Sequence, residues 1–206
     1  MIHTYEINGV PVQTGDIICT QDGKPDILPG EFWRFVGRLV PGDVDHIVIY
    51  LGPEGRCIET AALGVSTFEV HDGFWDSEHS MPDRGLLVDT FYGVAYPLDG
   101  LQLSEEDEAQ ARMTVAEYCL SHLGKPYNLN FFNPETEDAF YCSQLAYKAY
   151  QQIGVNLNTG LAIESLPGTN LIIFPQEIWN GSPHKMDEGR TVVTRRSPVT
   201  QAVQPT

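Results

Sequence analysis

Strand-like segments fill the first half of this 206-residue chain, and helix-like segments follow in the second half. Turn signals at 41–43 (Pro-Gly-Asp) and 52–55 (Gly-Pro-Glu-Gly) separate short runs rich in β-branched residues. This division, without internal repeats, is typical of an α+β fold, and we expect one domain over residues 1–183. The polar segment 184–206 is predicted to be a tail that is mobile or packs late. The predicted strands are Gly15–Cys19, Val44–Leu51, Arg56–Ala62, Val65–Val70, Leu86–Phe91 and Gly93–Leu98.

Two helices are predicted in the second half. The first begins after Ser104, a good N-cap residue that is followed by four acidic residues, and ends at Gly124. The second begins near Phe140–Cys142 and ends at Gly154. The spacing of apolar residues predicts that the first helix packs through Met113, Ala116, Leu120 and Leu123, and the second through Leu145, Ala149 and Ile153.

The chain is strongly acidic. Its 12 Lys and Arg against 28 Asp and Glu give a formal charge of −16, and because the tail is net basic, residues 1–183 carry −18. Such a body repels phosphate backbones and anionic lipid head groups, so we expect neither nucleic-acid binding nor membrane-surface binding. No stretch approaches the roughly 20 apolar residues needed to cross a bilayer, so we expect no stable membrane insertion. Residues 1–6 lack the basic and apolar regions of a signal peptide, so we expect a cytoplasmic protein. The sequence does not predict an oligomeric state.

The four cysteines are predicted to be free thiols. They form no CxxC or CxxH pair, so their spacing fits neither a zinc ribbon nor a redox motif. Cys19, Cys57 and Cys119 are expected to be small buried apolar residues. No metal or nucleotide cofactor is expected, since the chain has neither a Gly-rich phosphate loop nor an HExxH motif.

One predicted hairpin places a histidine beside a carboxylate. If Leu51 pairs with Arg56 around the loop 52–55, His46 and Glu59 become diagonal neighbours on one face. A carboxylate beside an imidazole fixes its tautomer and raises its basicity. A register slip of one residue would put the two side chains on opposite faces. The alternative is a structural histidine and a solvated glutamate.

Cys142 is predicted at the start of the second helix. Free backbone N–H groups and the helix dipole stabilise a thiolate there, and a nearby imidazolium would stabilise it further. Such an ion pair attacks a carbonyl carbon at neutral pH, and the Cys142 backbone N–H could contribute to an oxyanion hole. The alternative is a core residue at a helix end.

Six short segments carry a family resemblance through their order and spacing. They are Gly15–Ile18, Asp45–Gly52, Ile58–Ala61, Gly124–Asn128, Phe140–Leu145 and Ile172–Ile178. Together they resemble the YiiX/YebB-like group, permuted members of the NlpC-type papain-like cysteine peptidases. The resemblance implies a papain-like α+β fold, in which a small antiparallel sheet or barrel packs against helices and the catalytic cysteine lies at a helix N-terminus.

The resemblance also implies roles for individual residues. Cys142 would be the nucleophile, His46 the general base and then acid, and Glu59 the residue that orients the imidazole. In unpermuted relatives the cysteine comes first, whereas here it comes last. The Tyr-Cys-Ser-Gln of this chain replaces the Asp-Cys-Ser-Gly that is common in those relatives. Inheritance of their cell-wall peptide substrates therefore does not follow.

Three further residues are weaker candidates for substrate binding. Tyr127, in a Lys-Pro-Tyr segment, could line the substrate pocket or assist the oxyanion hole, and the alternative is a core aromatic residue with a bonded hydroxyl. Tyr141 and Asp16 are weaker candidates again.

Two enzyme functions and one binding function remain open. The first is a cysteine-dependent amide hydrolase, a peptidase or amidase, that acts through a thioester on a small peptide or cell-wall-type fragment. The second is an acyltransferase or thioesterase acting on lipid acyl groups, because the segment 46–52 is also similar to lecithin:retinol acyltransferase-like proteins. The third is a non-catalytic module that binds a ligand in a papain-like cleft.

The segment 70–84 contains two more histidines. His71 beside Asp72, and His79 beside Glu78, could suggest a metal site. The segment is rich in Asp, Gly, Ser and Pro, which favours a surface loop, and such a loop could lie over the active-site cleft.

Overall fold

The computed structural model describes residues 1–22, 42–85, 87–159 and 171–189. Within these ranges the chain forms an α+β fold with two sheets, four α-helices and one 3₁₀ helix, Met81–Arg84. The strands are β1 (Thr4–Ile7), β2 (Val10–Gln13), β3 (Ile17–Asp22), β4 (His46–Tyr50), β5 (Arg56–Ala61), β6 (Gly64–Glu69), β7 (Asp89–Ala95) and β8 (His184–Met186). The helices are α1 (Ser77–Ser80), α2 (Glu105–Ser121), α3 (Cys142–Gln151) and α4 (Pro175–Gly181).

The main sheet is antiparallel throughout and has the strand order β6-β5-β4-β3-β7-β8. Strands β1 and β2 form a separate hairpin. The predicted α+β class is therefore confirmed. The two strands predicted at Leu86–Phe91 and Gly93–Leu98 are instead one strand, β7, which pairs with β3 across a register shift at Cys19/Thr20.

The β4–β5 hairpin has the register that its loop length predicts. The backbone N–H of Leu51 donates to the carbonyl of Arg56 at 2.9 Å, and Val48 pairs with Glu59. Gly55 permits the turn because its φ is +84°, and because a Cβ there would lie 1.9 Å from the carbonyl oxygen of Val70. The prediction that His46 and Glu59 share a face depends on this register, and the register is confirmed.

Both faces of the main sheet are apolar and covered. The residues that pack against helices α2 and α3 include Ile17, Ile47, Ile49 and Ile58. Those that pack against the β1–β2 hairpin include Ile18, Val48, Tyr50 and Cys57.

Helix α2 begins as predicted, and its buried face only partly matches the prediction. The Ser104 hydroxyl caps its first turn by accepting the N–H of Asp107 at 3.1 Å. The prediction of its packing face is confirmed for Ala116, which is buried, and for Leu120, which packs partly buried against the core. It is wrong for Leu123, which lies beyond the helix and is 45% exposed. The spacing of apolar residues could not identify Arg112 as part of the buried face, because Arg112 is buried through its ion pair with Asp16. The buried residues of α2 are Arg112, Val115, Ala116 and Cys119.

Helix α3 begins at Cys142, as predicted. Leu145 and Ala149 are buried on its inner face, and the chain leaves the helix through Gly154 at a φ of +76°. Within the part of the chain that the structure describes, no helix is both long enough and apolar enough to cross a bilayer.

The sheet extends into the segment that the sequence predicts to be a tail. His184–Met186 form the edge strand β8, which pairs with β7. The amide of Asn8 donates to Asp187 just beyond it, at 3.1 Å. The remainder of the predicted tail, residues 190–206, lies outside the described residues.

Candidate active site

His46 and Glu59 are joined by a short hydrogen bond. His46 Nε2 lies 2.7 Å from Glu59 Oε2, and both side chains are buried. The bond engages one ring nitrogen, so Nδ1 is the nitrogen that remains for a second partner. The alternative of a solvated glutamate is excluded by the geometry, since Glu59 is 1% exposed.

Cys142 differs from the other three cysteines in its exposure. All four are free thiols, as predicted, and Cys19, Cys57 and Cys119 are fully buried, whereas Cys142 is 8% exposed. Burial raises the pKa of each of those three thiols far above its ordinary value. As the first residue of α3, Cys142 also has a backbone N–H that the helix does not use.

The imidazole of His46 interacts with Cys142 as well as with Glu59. Burial alone would lower the pKa of His46. Interactions with Cys142 and Glu59, each through charge and a hydrogen bond, outweigh that effect and raise the pKa of His46 to about 10. The strand β4 and the start of α3 thus bring these residues into one electrostatic unit.

Glu59 has a second partner that the sequence analysis missed. Nε of Arg84 donates to Oε1 of Glu59 at 2.9 Å, and Nη2 donates to Oε2 at 2.8 Å. Burial would raise the pKa of Glu59, but the charge of Arg84 and the bonds from Arg84 and His46 lower it below its ordinary value. Glu59 is therefore held as a carboxylate.

Arg84 also binds a second carboxylate, that of Asp89. Nη1 donates to Oδ1 at 2.7 Å and Nη2 to Oδ2 at 2.9 Å. The guanidinium carbon lies 4.4 Å from the ring centroid of Phe68 and 5.0 Å from that of Trp75. We call Glu59, Arg84 and Asp89 the Arg84 cluster.

The prediction of a surface loop over 70–84 is therefore wrong for its last part. Arg84 has no solvent exposure, and Ser77 and Ser80 are buried with it. Gly85 ends the 3₁₀ helix at a φ of +62°, and a Cβ at this position would lie 2.9 Å from the Cβ of Ala62. The absence of a side chain at Gly85 therefore allows the chain that carries Arg84 to lie close to the end of β5. The polar composition of the segment favours a surface loop, and composition does not reveal that Arg84 is buried by carboxylates from other strands.

Tyr127 lies beside the candidate nucleophile. It forms an isolated parallel bridge with Phe140, two residues before Cys142. Burial raises the pKa of Tyr127 well above its ordinary value, and the nearby Cys142 and Tyr141 act in the same direction. This position supports its candidacy for the substrate pocket or the oxyanion hole.

The other two candidates have structural partners. The Tyr141 hydroxyl accepts the backbone N–H of Ile173 at 3.1 Å and so links α3 to the segment before α4. The Asp16 carboxylate accepts a bond from Arg112 Nη1 at 2.6 Å and another from the backbone of Gln13 at 2.8 Å. These contacts tie both residues to the scaffold, and their role in substrate binding stays a prediction.

The loop before α3 is fixed by side-chain amides. Gln144 Oε1 accepts the backbone N–H of Tyr141 at 3.2 Å and the side-chain N–H of Asn128 at 2.9 Å. Gln144 Nε2 donates to the carbonyls of Pro134 and Thr136 at 3.0 and 2.9 Å. The glutamine of the Tyr-Cys-Ser-Gln motif thus positions the turn that presents Cys142.

The two histidines of the segment 70–84 lie together at the surface. The rings of His71 and His79 are 5.3 Å apart and perpendicular, and they line a cavity of about 520 Å³ with Trp75 and Asp76. Among the residues that the structure describes, no three His, Cys, Asp or Glu side chains come together as a metal site.

Comparison with known proteins supports the sequence resemblance. No curated protein and no solved structure gives a match to the chain. Residues 92–170, which include Tyr127 and Cys142, match the permuted papain-like amidase enzymes of the YaeF/YiiX, C92 family. His46 and Glu59 precede this stretch. The resemblance to the permuted papain-like amidases is thereby confirmed over residues 92–170, and amide hydrolysis is the class of activity that the match supports.

Proposed function

We propose that this chain is a cysteine-dependent amidase with Cys142 as its nucleophile. The observation that carries the proposal is the bond between His46 and Glu59, together with the interaction of the same imidazole with Cys142. A thiol at a helix start, a buried imidazole and an ionised carboxylate are the three groups that a cysteine hydrolase uses.

The first half-reaction forms a thioester. The proton of the Cys142 thiol passes to Nδ1 of His46, and Sγ attacks the carbonyl carbon of the amide. The oxyanion of the tetrahedral intermediate would be stabilised by the backbone N–H of Cys142, with the Tyr127 hydroxyl as a second candidate donor. The C–N bond then breaks, and His46 gives its proton to the leaving amine.

The second half-reaction consumes one water molecule. His46 takes a proton from the water while the water oxygen attacks the thioester carbon. The C–S bond breaks, a carboxylic acid leaves, and the proton returns to the thiol of Cys142. Glu59 stays ionised throughout, since its role is to orient His46 and to stabilise the imidazolium that forms in each half-reaction.

The substrate we propose is a small peptide or a similar amide, such as a cell-wall-type fragment. A body with a formal charge of −18 over residues 1–183 favours neutral or cationic substrates over anionic ones. The cytoplasmic expectation from the sequence remains a prediction.

One observation favours a second candidate, transfer or hydrolysis of an acyl group. The ring of Phe131 packs against both Tyr127 and Tyr141, and its neighbours Leu129 and Phe132 are 66% and 59% exposed. An exposed apolar loop next to the neighbours of Cys142 would suit an acyl chain. The chemistry at Cys142 would be the same up to the thioester.

A panel of dipeptide amides and short acyl thioesters tests the proposal. Amine or thiol release would be measured, and the acyl-enzyme would be trapped by acid quench and weighed by mass spectrometry. We expect release from the amides and a covalent adduct on Cys142, both absent in Cys142→Ala and retained in the matched control Cys119→Ala. Turnover of thioesters alone would favour the acyl candidate. Absence of any adduct in the native protein would favour a binding module.

A further inference from the structure

The candidate triad continues beyond Glu59 into a buried set of charges. Glu59 uses Oε2 for both His46 and Arg84, at 2.7 and 2.8 Å, and Oε1 for Arg84 alone. The two parallel bonds from one guanidinium fix the plane of the carboxylate. They therefore also fix the position of the oxygen that receives the imidazole.

A buried glutamate alone would be a poor partner for a histidine that must become charged. Burial is the largest influence on the pKa of Glu59, and it acts to raise that pKa. A protonated carboxyl carries no charge with which to stabilise an imidazolium. A compensating cation within the same cavity resolves this problem, and Arg84 is that cation.

A cation so close to the imidazole creates a second problem, because it would repel the protonated ring. Asp89 resolves it by cancelling the charge of Arg84. Oδ1 of Asp89 also accepts bonds from Trp75 and Ser77, both at 2.9 Å, and Oδ2 accepts one from Thr20 at 2.6 Å. The Arg84 cluster has a net charge of −1, which matches the +1 of a protonated His46.

We propose that Arg84, balanced by Asp89, is the positioning residue that keeps Glu59 ionised and oriented and so sets the pH range in which His46 and Cys142 exist as an ion pair. This inference rests on the proposed function. Arg84 acts through Glu59 and does not touch the reacting atoms.

The other titratable groups near this unit do not share the role. Cys57 faces Glu59, and Cys19 faces Cys142. Burial raises the pKa of each thiol far above its ordinary value, so neither thiol ionises between pH 4 and 9. Tyr127 and Tyr141 face Cys142, and burial raises the pKa of both phenols. Each of these groups is neutral at the pH values of interest, so Arg84 and Asp89 supply the charge that can be tuned.

A structural role and a positioning role for the Arg84 cluster predict different pH dependences of Cys142 reactivity. If the cluster only stabilises the fold, its variants lower the melting temperature but leave the folded protein with an unchanged pH dependence at Cys142. If the cluster positions Glu59, the pH dependence moves even in a variant that is fully folded. The pH dependence of Cys142 alkylation separates the two.

The experiment compares Arg84→Lys and Asp89→Asn with a matched control, Arg112→Lys, which alters a buried arginine outside this unit. Alkylation of Cys142 by iodoacetamide would be followed by peptide mass spectrometry from pH 4 to 9, with near-UV circular dichroism to verify folding. We expect labelling at pH 6 to become roughly tenfold slower in both cluster variants, with rates at pH 9 unchanged. The control should follow the native profile. Arg84→Met is expected to be slower still at pH 6 if it folds.

The outcomes separate the two proposals. A native profile in Arg84→Lys and Asp89→Asn would overturn the positioning role while leaving the amidase proposal intact. An equal shift in Arg112→Lys would also overturn it, since the effect would then be one of general destabilisation. A native protein whose Cys142 labels slowly at pH 6, with no dependence on His46, would remove the amidase proposal and this inference together.

Discussion

Among the residues that the structure describes, two buried arginines bind carboxylates, and the pKa values of these carboxylates shift in opposite directions. In the Arg84 cluster, both carboxyl pKa values are lowered, because Arg84 contributes two bonds to each carboxylate against the opposing effect of burial. In the second cluster, burial outweighs the single 2.6 Å bond from the arginine and raises the pKa of Asp16 to about 6. We call this second group, Arg112 with Asp16 and Glu108, the Arg112 cluster.

The difference shows that a buried arginine does not by itself keep its partner ionised. Arg112 divides its bonds between Asp16 and Glu108, and the Glu108 side chain is 38% exposed. Arg84 is fully enclosed, and its guanidinium packs against the rings of Phe68 and Trp75. The number of bonds to each carboxylate and the exclusion of water decide which group keeps its charge.

The largest effect is expected from removing the charge that faces His46. Glu59→Gln retains the shape of the side chain but loses the stabilisation of the imidazolium. We expect kcat/KM on an amide substrate to fall by roughly 10²- to 10⁴-fold, by analogy with carboxylate-to-amide changes in catalytic triads. Steady-state kinetics would measure this, with Arg112→Lys as the control that retains activity. A loss of less than about threefold in Glu59→Gln would contradict the role of Glu59.

The two clusters should also differ in stability when the arginine is removed. Arg84→Met leaves two buried carboxylates that face each other, so we expect a loss of about 3–5 kcal/mol in the free energy of unfolding. Arg112→Met should cost less, because Asp16 can take up a proton and Glu108 can reach solvent. Urea denaturation at pH 7 would measure both. Equal losses would contradict the distinction between the clusters.

The pH dependence of stability should show opposite signs at the two sites. The raised pKa of Asp16 means that the native state retains a proton between about pH 4 and 6 that the unfolded chain releases. The contribution of Asp16 to stability therefore falls as pH rises through that window, by on the order of 2–3 kcal/mol. The lowered pKa values of Glu59 and Asp89 stabilise the protein above about pH 4, and that stabilisation is lost below it.

Urea denaturation from pH 3 to pH 7 tests the sign for Asp16. The native protein and Asp16→Asn should diverge most steeply between pH 4 and 6, since the variant has no proton to release. Parallel curves across that window would mean that Asp16 is already ionised in the native state, and the contrast between the clusters would fail.

The smallest effect on stability is expected from a change at Glu108, the partly exposed member of the Arg112 cluster. Glu108 pairs with Arg112 one helical turn away at 2.8 Å, but its side chain is partly solvated. We expect Glu108→Gln to cost less than about 1 kcal/mol in the free energy of unfolding, as for other exposed pairs on helices. Asp89→Asn, which changes a buried member of the Arg84 cluster, should lower the free energy of unfolding several times more. Equal effects would show that solvent exposure does not separate the clusters.

The parts of the site that depend on local sequence were predictable. The pairing of His46 with Glu59 follows from the length of one hairpin loop, and the start of α3 at Cys142 follows from a helical pattern that ends at Gly154. Both signals are contained within about 15 residues of chain.

The parts that depend on distant contacts were not predictable. Arg84 lies in a segment whose composition favours a surface loop, and only the tertiary fold brings it against Glu59, 25 residues away. Arg112 likewise interrupts the apolar pattern of α2, because its partner Asp16 is 96 residues distant. Buried ion pairs carry no periodic signal, so a hydrophobic pattern mislocates them.

The pH dependence of Cys142 alkylation, in the native protein and in His46→Ala, tests the central claim most directly. Cys19, Cys57 and Cys119 serve as internal controls, because burial raises the pKa of each thiol. We predict that Cys142 labels rapidly at mildly acidic pH in the native protein and that His46→Ala loses this reactivity. Labelling of Cys142 no faster than that of the three controls, or unchanged by His46→Ala, would contradict the account.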